Sequence, residues 1–411
     1  MRIAVVGAGI AGLYVAWHLA RDHEVTLFEA ADRPGGHADT HEIDDEGRRL
    51  AIDSGFIVFN RSNYPLFSAW LDQLGVASQP SDMSFSVSSR PAGLEYSVAG
   101  LSGLFSQHRN LLRPAFWRMF LDIVRFYHQA PDLLAAADHH QTLGQWLSGW
   151  RCGRLFASHH LLPMASALWS LPTAQVADFP LSHLLTFMDN HAMLTLRDRP
   201  RWLTVAGGSQ SYVMRAVATM RAEIEPGTPV QRIIRRDDGV QVHTPHGHLD
   251  ADAVVLACHT DQALAMIEEP SVAERQVLSS IAYQPNEVLL HEDTSVLPRD
   301  RRAWASWNVL HDAEPTGECL VSYYMNRLQG LSSRRHFIVS LNQADRIDPD
   351  RVLARRSYQH PVFTPAAVAA QRRWHEINGH RRTWYCGAWW GWGFHEDGAR
   401  SAQRVVDAIV Q

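Results

Sequence analysis

Ile3-Ala4-Val5-Val6-Gly7-Ala8-Gly9-Ile10-Ala11-Gly12 opens the chain and decides its fold. Ile3–Val6 is a short apolar run, the pattern of a parallel strand buried on both faces. Leu13 to Ala20 then reads as a helix, and Val25-Thr26-Leu27-Phe28 as a second strand ending in Glu29. Gly7 permits the tight turn, Gly9 lets the main chain approach a pyrophosphate, and Gly12 lets the helix pack on the strand. Ile10 and Ala11 lie in the turn, and the helix N-terminus that follows offers unpaired N–H groups and a partial positive charge to phosphates. Glu29, seventeen residues after Gly12, is placed to accept hydrogen bonds from ribose hydroxyls. Strand, glycine turn, helix, strand and acid together predict a dinucleotide site.

The next residues separate flavin from nicotinamide. Ala30 and then Arg33-Pro34-Gly35-Gly36-His37 follow the acid. This stretch resembles the Arg-x-Gly-Gly extension of the flavoprotein superfamily that includes amine oxidases, carotenoid desaturases and protoporphyrinogen oxidase. The resemblance implies FAD, with main chain and basic residue reaching its phosphates.

At 411 residues the chain can bury a large core and is expected to form two domains. Hydrophobic content of 46% and charged content of 20% are those of a globular protein. A formal net charge of −5 implies no broad basic surface, so nucleic acid is not expected as a partner. The sequence contains no lysine; all 38 basic residues are arginine. Schiff-base and other lysine chemistry is thereby excluded. Cys152, Cys258, Cys319 and Cys386 are far apart, which fits neither a disulfide framework nor a zinc site and suits a reducing cytoplasm. No apolar run reaches eighteen residues, so no spanning helix is expected. The 23 histidines are scattered without metal-ligand spacing.

Along the chain, His41–Asp44 and Leu50–Asp53 read as a hairpin about Asp45-Glu46-Gly47. Asp53-Ser54-Gly55-Phe56 puts an acid and a glycine at a strand end, where ligands approach in α/β folds. Tyr64–Leu74 is an amphipathic helix closed by Gly75, and Ser81–Ser88 alternates as a strand. From Leu101 to Met193 the chain reads helical. The segment Asn110–Leu121, apolar with interspersed arginines, reads either as helical core or as a cap or helix on a membrane surface. Gln210–Ala222 reads as a helix, and Thr228–Ile234, Gly239–His243 and Ala253–Cys258 as strands. Alternating segments between Asn286 and Asn342 predict an antiparallel sheet. Thr383–Ala388 runs as a strand into Trp389-Trp390-Gly391-Trp392-Gly393-Phe394, and His395-Glu396-Asp397-Gly398 opens the last helix. This second glycine-rich turn aims a helix N-terminus at a cofactor ring.

The whole chain resembles the flavin amine oxidase superfamily. More closely it resembles bacterial NAD/FAD-binding oxidoreductases and the oxidase-like N-terminal half of plant cyclopropane fatty acid synthases. Gly55–Asn60, Asp82–Ser88, Leu101–Phe105, Arg201–Val205 and Gly393–Gly398 carry this resemblance. It implies an α/β fold. A discontinuous Rossmann-type FAD-binding domain (1–85, 200–270 and 375–411) is joined to a substrate domain of antiparallel sheet and helical cap (86–199 and 271–374). It places Gly7, Gly9, Ile10, Ala11, Gly12, Glu29, Ala30, Arg33, Gly35, Gly36 and His37 at FAD. Gly55, Phe56, Val230, Gly387, Phe394, Glu396 and Asp397 join them, Val230 as a main-chain contact to adenine. His395 is the first candidate for a base or donor at the ring, because a histidine titrates near neutral pH. Tyr324 and His191 are further catalytic candidates.

The expected activity is FAD-dependent removal of hydride from a carbon of a long apolar substrate, a fatty acyl chain of a lipid. A flavin amine oxidase, a carotenoid-like desaturase or isomerase, and a non-catalytic flavoprotein partner of a lipid methyltransferase are the alternatives. The superfamily's amine oxidases hold a water at the flavin with a lysine, which this chain lacks. The expected location is cytoplasmic, with peripheral contact at the inner membrane face.

Overall fold

The computed structural model describes residues 1–98, 100–136, 141–191, 193–194, 200–311 and 320–410. Cys319, and parts of the Leu101–Met193 helical stretch, lie outside the described residues.

A parallel five-stranded sheet carries the opening motif. Its order is Glu223–Glu225, Glu24–Phe28, Arg2–Val6, Ala253–Leu256, Thr383–Tyr385. The chain turns one way from the first strand into Glu24–Phe28, which Glu223–Glu225 flanks, while Ala253–Leu256 and Thr383–Tyr385 add on the other side. The order therefore reverses beside the first strand, the point where α/β sheets open a crevice for ligands. The helix Ile10–Leu19 has nearly every residue buried, because the C-terminal helix His395–Val410 covers the side that the sheet does not. A Cβ on Gly398 would lie 2.7 Å from Cγ2 of Ile10, so that glycine sets how closely the first and last helices cross. Tyr14 Oη donates to Gln403 Oε1 at 2.7 Å across the same contact.

The second sheet has seven strands, in the order Val352–Val362, Ala282–His291, Ile338–Leu341, Val321–Tyr324, Trp307–His311, Phe85–Ser89, Leu94–Ser97. It is antiparallel except where Trp307–His311 runs parallel to Phe85–Ser89. The segments expected between Asn286 and Asn342 pair antiparallel with one another; the parallel junction arises where an early segment of the chain, Phe85–Ser89, inserts beside a late one. The eleven-residue edge strand Val352–Val362 pairs along the full length of Ala282–His291. Helices from Leu101 to Asn190 sit over this sheet, the longest being Pro114–Ala135.

The hairpin Thr40–Asp45/Arg48–Asp53 turns through Glu46 and Gly47, both at positive φ, as a two-residue turn requires. Thr228–Ile234 departs from expectation. Only Arg232–Arg235 is strand, and Thr228-Pro229-Val230 peels away, pinned by Thr228 N donating to Glu29 O at 2.8 Å. Among the described residues no helix is long and apolar enough to cross a membrane.

Candidate functional site

A cavity of about 1390 Å³ begins at the first glycine turn and ends among the helices over the second sheet. This exceeds the range of roughly 300–1,000 Å³ for a site holding one small molecule. It has room for a dinucleotide and a second, apolar ligand.

The turn is built for a close approach. Gly7 has φ +98, and a Cβ there would lie 2.9 Å from Ala257 O. A Cβ on Gly12 would lie 1.8 Å from Gly7 O. Gly9 differs: a Cβ there meets nothing within 4 Å, and its φ of −75 suits any residue. Its glycine is therefore explained by what must come close, not by the fold itself. No side chain caps the helix that follows, and Gly9, Ile10 and Ala11 line the cavity. An uncapped helix N-terminus on a cavity is an anion site. Glu29 Oε2 accepts from Ala8 N at 2.7 Å and Oε1 from Ala31 N at 2.9 Å. Each oxygen keeps a lone pair for a ribose hydroxyl. These residues fit FAD. Ala30, Arg33, Gly36, His37, Gly55, Phe56, Val230, Gly387, Phe394 and His395 also line the cavity.

Four residues expected at the cofactor do not line it. Gly12 serves packing only. Gly35 donates its N–H to Ala8 O at 2.8 Å, which locks the second glycine pair onto the first turn. Glu396 accepts from Leu66 N (3.1 Å) and Phe67 N (3.0 Å), fixing the start of helix Pro65–Leu74. Asp397 Oδ2 accepts from Trp392 N (3.0 Å) and Phe394 N (3.1 Å), shaping the tryptophan turn. The carboxylates of Glu396 and Asp397, expected at the cofactor, are thus engaged by the main chain behind the wall.

Tyr324 is also corrected. Its hydroxyl pairs with His336 Nδ1 at 2.9 Å, away from the cavity. Its neighbour Tyr323 lines the cavity instead, since successive strand residues point to opposite faces.

His395 is buried, stacks on Phe56 (centroids 3.5 Å apart) and pairs through Nε2 with Tyr212 Oη at 3.0 Å. Burial, then the nearby His37, holds its pKa well below the usual histidine value. The reason first given for choosing it is therefore overturned: the ring is neutral at working pH. With the phenol assigned as donor, Nδ1 carries the ring proton and can donate. His191 lines the cavity between Phe187 (3.9 Å) and Tyr64 (6.4 Å). Its Nδ1 pairs with Phe187 O at 2.8 Å. Since the carbonyl only accepts, Nδ1 donates and Nε2 remains the acceptor. Burial lowers its pKa.

The edge strand supplies site residues that the sequence reading missed. Arg356, Tyr358 and His360 all line the cavity. Arg356 Nε donates to Asp39 Oδ2 (2.6 Å), as does Tyr358 Oη (2.9 Å), and Arg33 Nη2 pairs with the same oxygen at 2.7 Å. Burial opposes ionisation of Asp39, but Arg356, Arg33 and Tyr358 hold its pKa below the usual carboxylate value. His37 stacks on Tyr358 (4.8 Å) beside His360 (5.5 Å). The signal was present: an i, i+2, i+4 alternation of arginine, tyrosine and histidine on one strand face.

Away from this polar rim the cavity is apolar. Met119, Phe120, Ile123, Val124, Met164 and Leu168 line its helical end. Phe187, stacked on Phe394 at 5.0 Å, also lines the cavity.

The family model described as flavin-containing amine oxidoreductase matches residues 10–410. A Mycobacterium tuberculosis protein described as a flavin-containing monoamine oxidase, AofH, is 25% identical over 287 residues, 65% of this chain. The match spans 59% of that relative's length. A CLA-producing fatty acid isomerase from P. acnes superposes with a TM-score of 0.72 at 18% identity, covering 100% of this chain and 99% of that one. Cyclohexylamine oxidase from Brevibacterium oxydans superposes with a TM-score of 0.71 at 15% identity, covering 99% and 98%.

Proposed function

Since the chain belongs to the flavin-containing amine oxidoreductase family, with FAD as its cofactor, we propose that it removes hydride from a carbon of a long fatty acyl chain. The observation that carries this reading is the apolar helical half of the cavity, continuous with the glycine turn. Glu29, Gly9, Ile10, Ala11 and Val230 would hold the adenosine and phosphates. Phe56, Gly387, Phe394 and His395 would wall the ring. FAD supplies the two-electron acceptor for the hydride. Met119, Ile123, Met164 and Leu168 would align the chain and keep water out. Loss of the hydride and of a proton from the adjacent carbon leaves a double bond; Nε2 of His191 is the group available to take that proton. Neutral His395 would donate a hydrogen bond from Nδ1, not exchange a proton.

A second reading, amine oxidation, draws on the aromatic enclosure of Phe187, Trp202 and Phe394 around His191, since aromatic faces attract cations. Anaerobic titration separates the two. Bleaching of the flavin by unsaturated, cyclopropane or methyl-branched acyl lipids, and not by amines, is expected. Bleaching by soluble amines alone would replace the first reading with the second.

A further inference from the structure

The far end of the cavity opens on a face that an ordinary globular surface would not carry. Eleven large hydrophobic side chains are exposed among the described residues, and seven of them lie between residues 98 and 124. Val98, Leu101 and Val124 are exposed and also line the cavity, so they mark its mouth. Leu111, Leu112, Trp117 and Leu121 extend the patch from there. Leu112 is 87% exposed and Leu121 62%. Trp117, Leu121 and Val124 follow at helical spacing along Pro114–Ala135, so they share one face. Trp117 Nε1 donates to Leu111 O at 2.9 Å, and its ring lies 5.8 Å from that of Phe105, which holds the patch together.

The same helix buries Phe116, Met119 and Phe126 on its other side. Its first half is therefore apolar on both sides, and among the described residues only one side is covered. Contiguous exposed apolar patches of this kind mark binding surfaces.

Charge says what covers it. Residues 98–125 carry Arg109, Arg113, Arg118 and Arg125 against one acid, Asp122, in a protein of net charge −5. Asp122 is buried and bonded by Arg118 and by Gly153 N. Arg109, on the same turn as Leu111 and Leu112, also lines a second cavity of about 600 Å³ in which four arginines (Arg90, Arg109, Arg299 and Arg301) stand against two acids, Glu95 and Asp300. Leucines and tryptophan ringed by arginines suit the boundary between acyl chains and anionic headgroups.

We propose that this face docks on an anionic phospholipid bilayer, so that an acyl chain passes from the membrane into the cavity mouth. The proposal rests on the acyl-chain reading above for its purpose, but not for its test. The face lies on the membrane and does not span it.

The test is flotation of the FAD-loaded protein with vesicles of phosphatidylglycerol and phosphatidylethanolamine. The protein should float. A Leu112→Ser/Leu121→Ser variant should bind at least about tenfold less, with bound FAD and melting temperature unchanged. A Met214→Ser/Val272→Ser control, altered at exposed apolar positions elsewhere, should float like the unaltered protein. Phosphatidylcholine vesicles should bind about tenfold less than anionic ones. No flotation, equal flotation of the double variant, equal binding to neutral vesicles, or a dimer in solution that the double variant breaks would each overturn the proposal. Flotation without bleaching by any acyl lipid would leave the docking face standing and remove the acyl-chain reading.

Discussion

Gly9→Ala should give a folded protein that has lost FAD, whereas Gly12→Ala should give a protein that barely folds. The two glycines are three residues apart in one turn and differ in what surrounds them. A Cβ on Gly9 meets nothing within 4 Å, and its backbone suits alanine. The methyl group would occupy only the space into which a pyrophosphate must come. FAD affinity is expected to fall about 100-fold or more, which corresponds to about 3 kcal/mol, with the melting temperature of the apoprotein unchanged. A Cβ on Gly12 would sit 1.8 Å from Gly7 O. Helix and strand must separate to admit it, at a cost of about 3 kcal/mol or more. Flavin absorbance after gel filtration, read beside calorimetry, checks both. Equal FAD retention in Gly9→Ala would mean that the turn is not the phosphate site.

Acid should unfold the protein early. Burial lowers the pKa of His37 and His183 to about 3 and that of His160 and His360 to about 4; neighbouring histidines add to the effect at His37 and His360. In the unfolded chain these rings titrate near about 6.5. The unfolded state therefore binds more protons below that pH. Stability present above about pH 6.5 is lost as pH falls toward the folded values. At pH 5 each ring has cost about 2 kcal/mol. Asp53 and Asp397 act oppositely. Burial raises both to about 6 despite hydrogen bonds that lower them, so their protonation recovers about 1.4 kcal/mol apiece at pH 5. The histidines outweigh them, and the balance is a large fraction of a typical total of about 5–15 kcal/mol. The melting temperature should drop steeply between pH 7 and pH 5. A flat profile would mean that these rings are solvated.

The nucleotide half of the fold was legible because its signals are local. Strand, turn and helix lie within twenty residues, and each glycine answers one steric demand. The hairpin at Glu46-Gly47 and the helix end at Gly75 were readable for the same reason. What failed depended on contacts distant in sequence. Tyr324 was assigned one residue off because only pairing tells which face of a strand looks inward. Glu396 and Asp397 looked like cofactor ligands from their place at a helix start. Their partners, Leu66, Phe67 and the tryptophan turn, come from folding. His395 lines the cavity, but its burial between Phe56 and Tyr212 removes the titration that first recommended it. The strand Val352–Val362 was hidden because both its faces carry polar residues, Arg355, Ser357 and Gln359 on the exposed one and Arg356, Tyr358 and His360 toward the cavity, and the apolar lining is drawn from residues scattered over a helical stretch with no motif.

If a long apolar chain reaches the flavin through the helical end of the cavity, as proposed, its reaction depends on chain length and on the bulk of residue 123. The rate of anaerobic flavin reduction against acyl chain length, in the unaltered protein and in Ile123→Trp, tests it most directly. Reduction by long chains should fall at least about tenfold when the indole fills the passage, while FAD stays bound and short chains still react. Equal rates for long chains in the two proteins, or no reduction by any acyl chain in either, would contradict it.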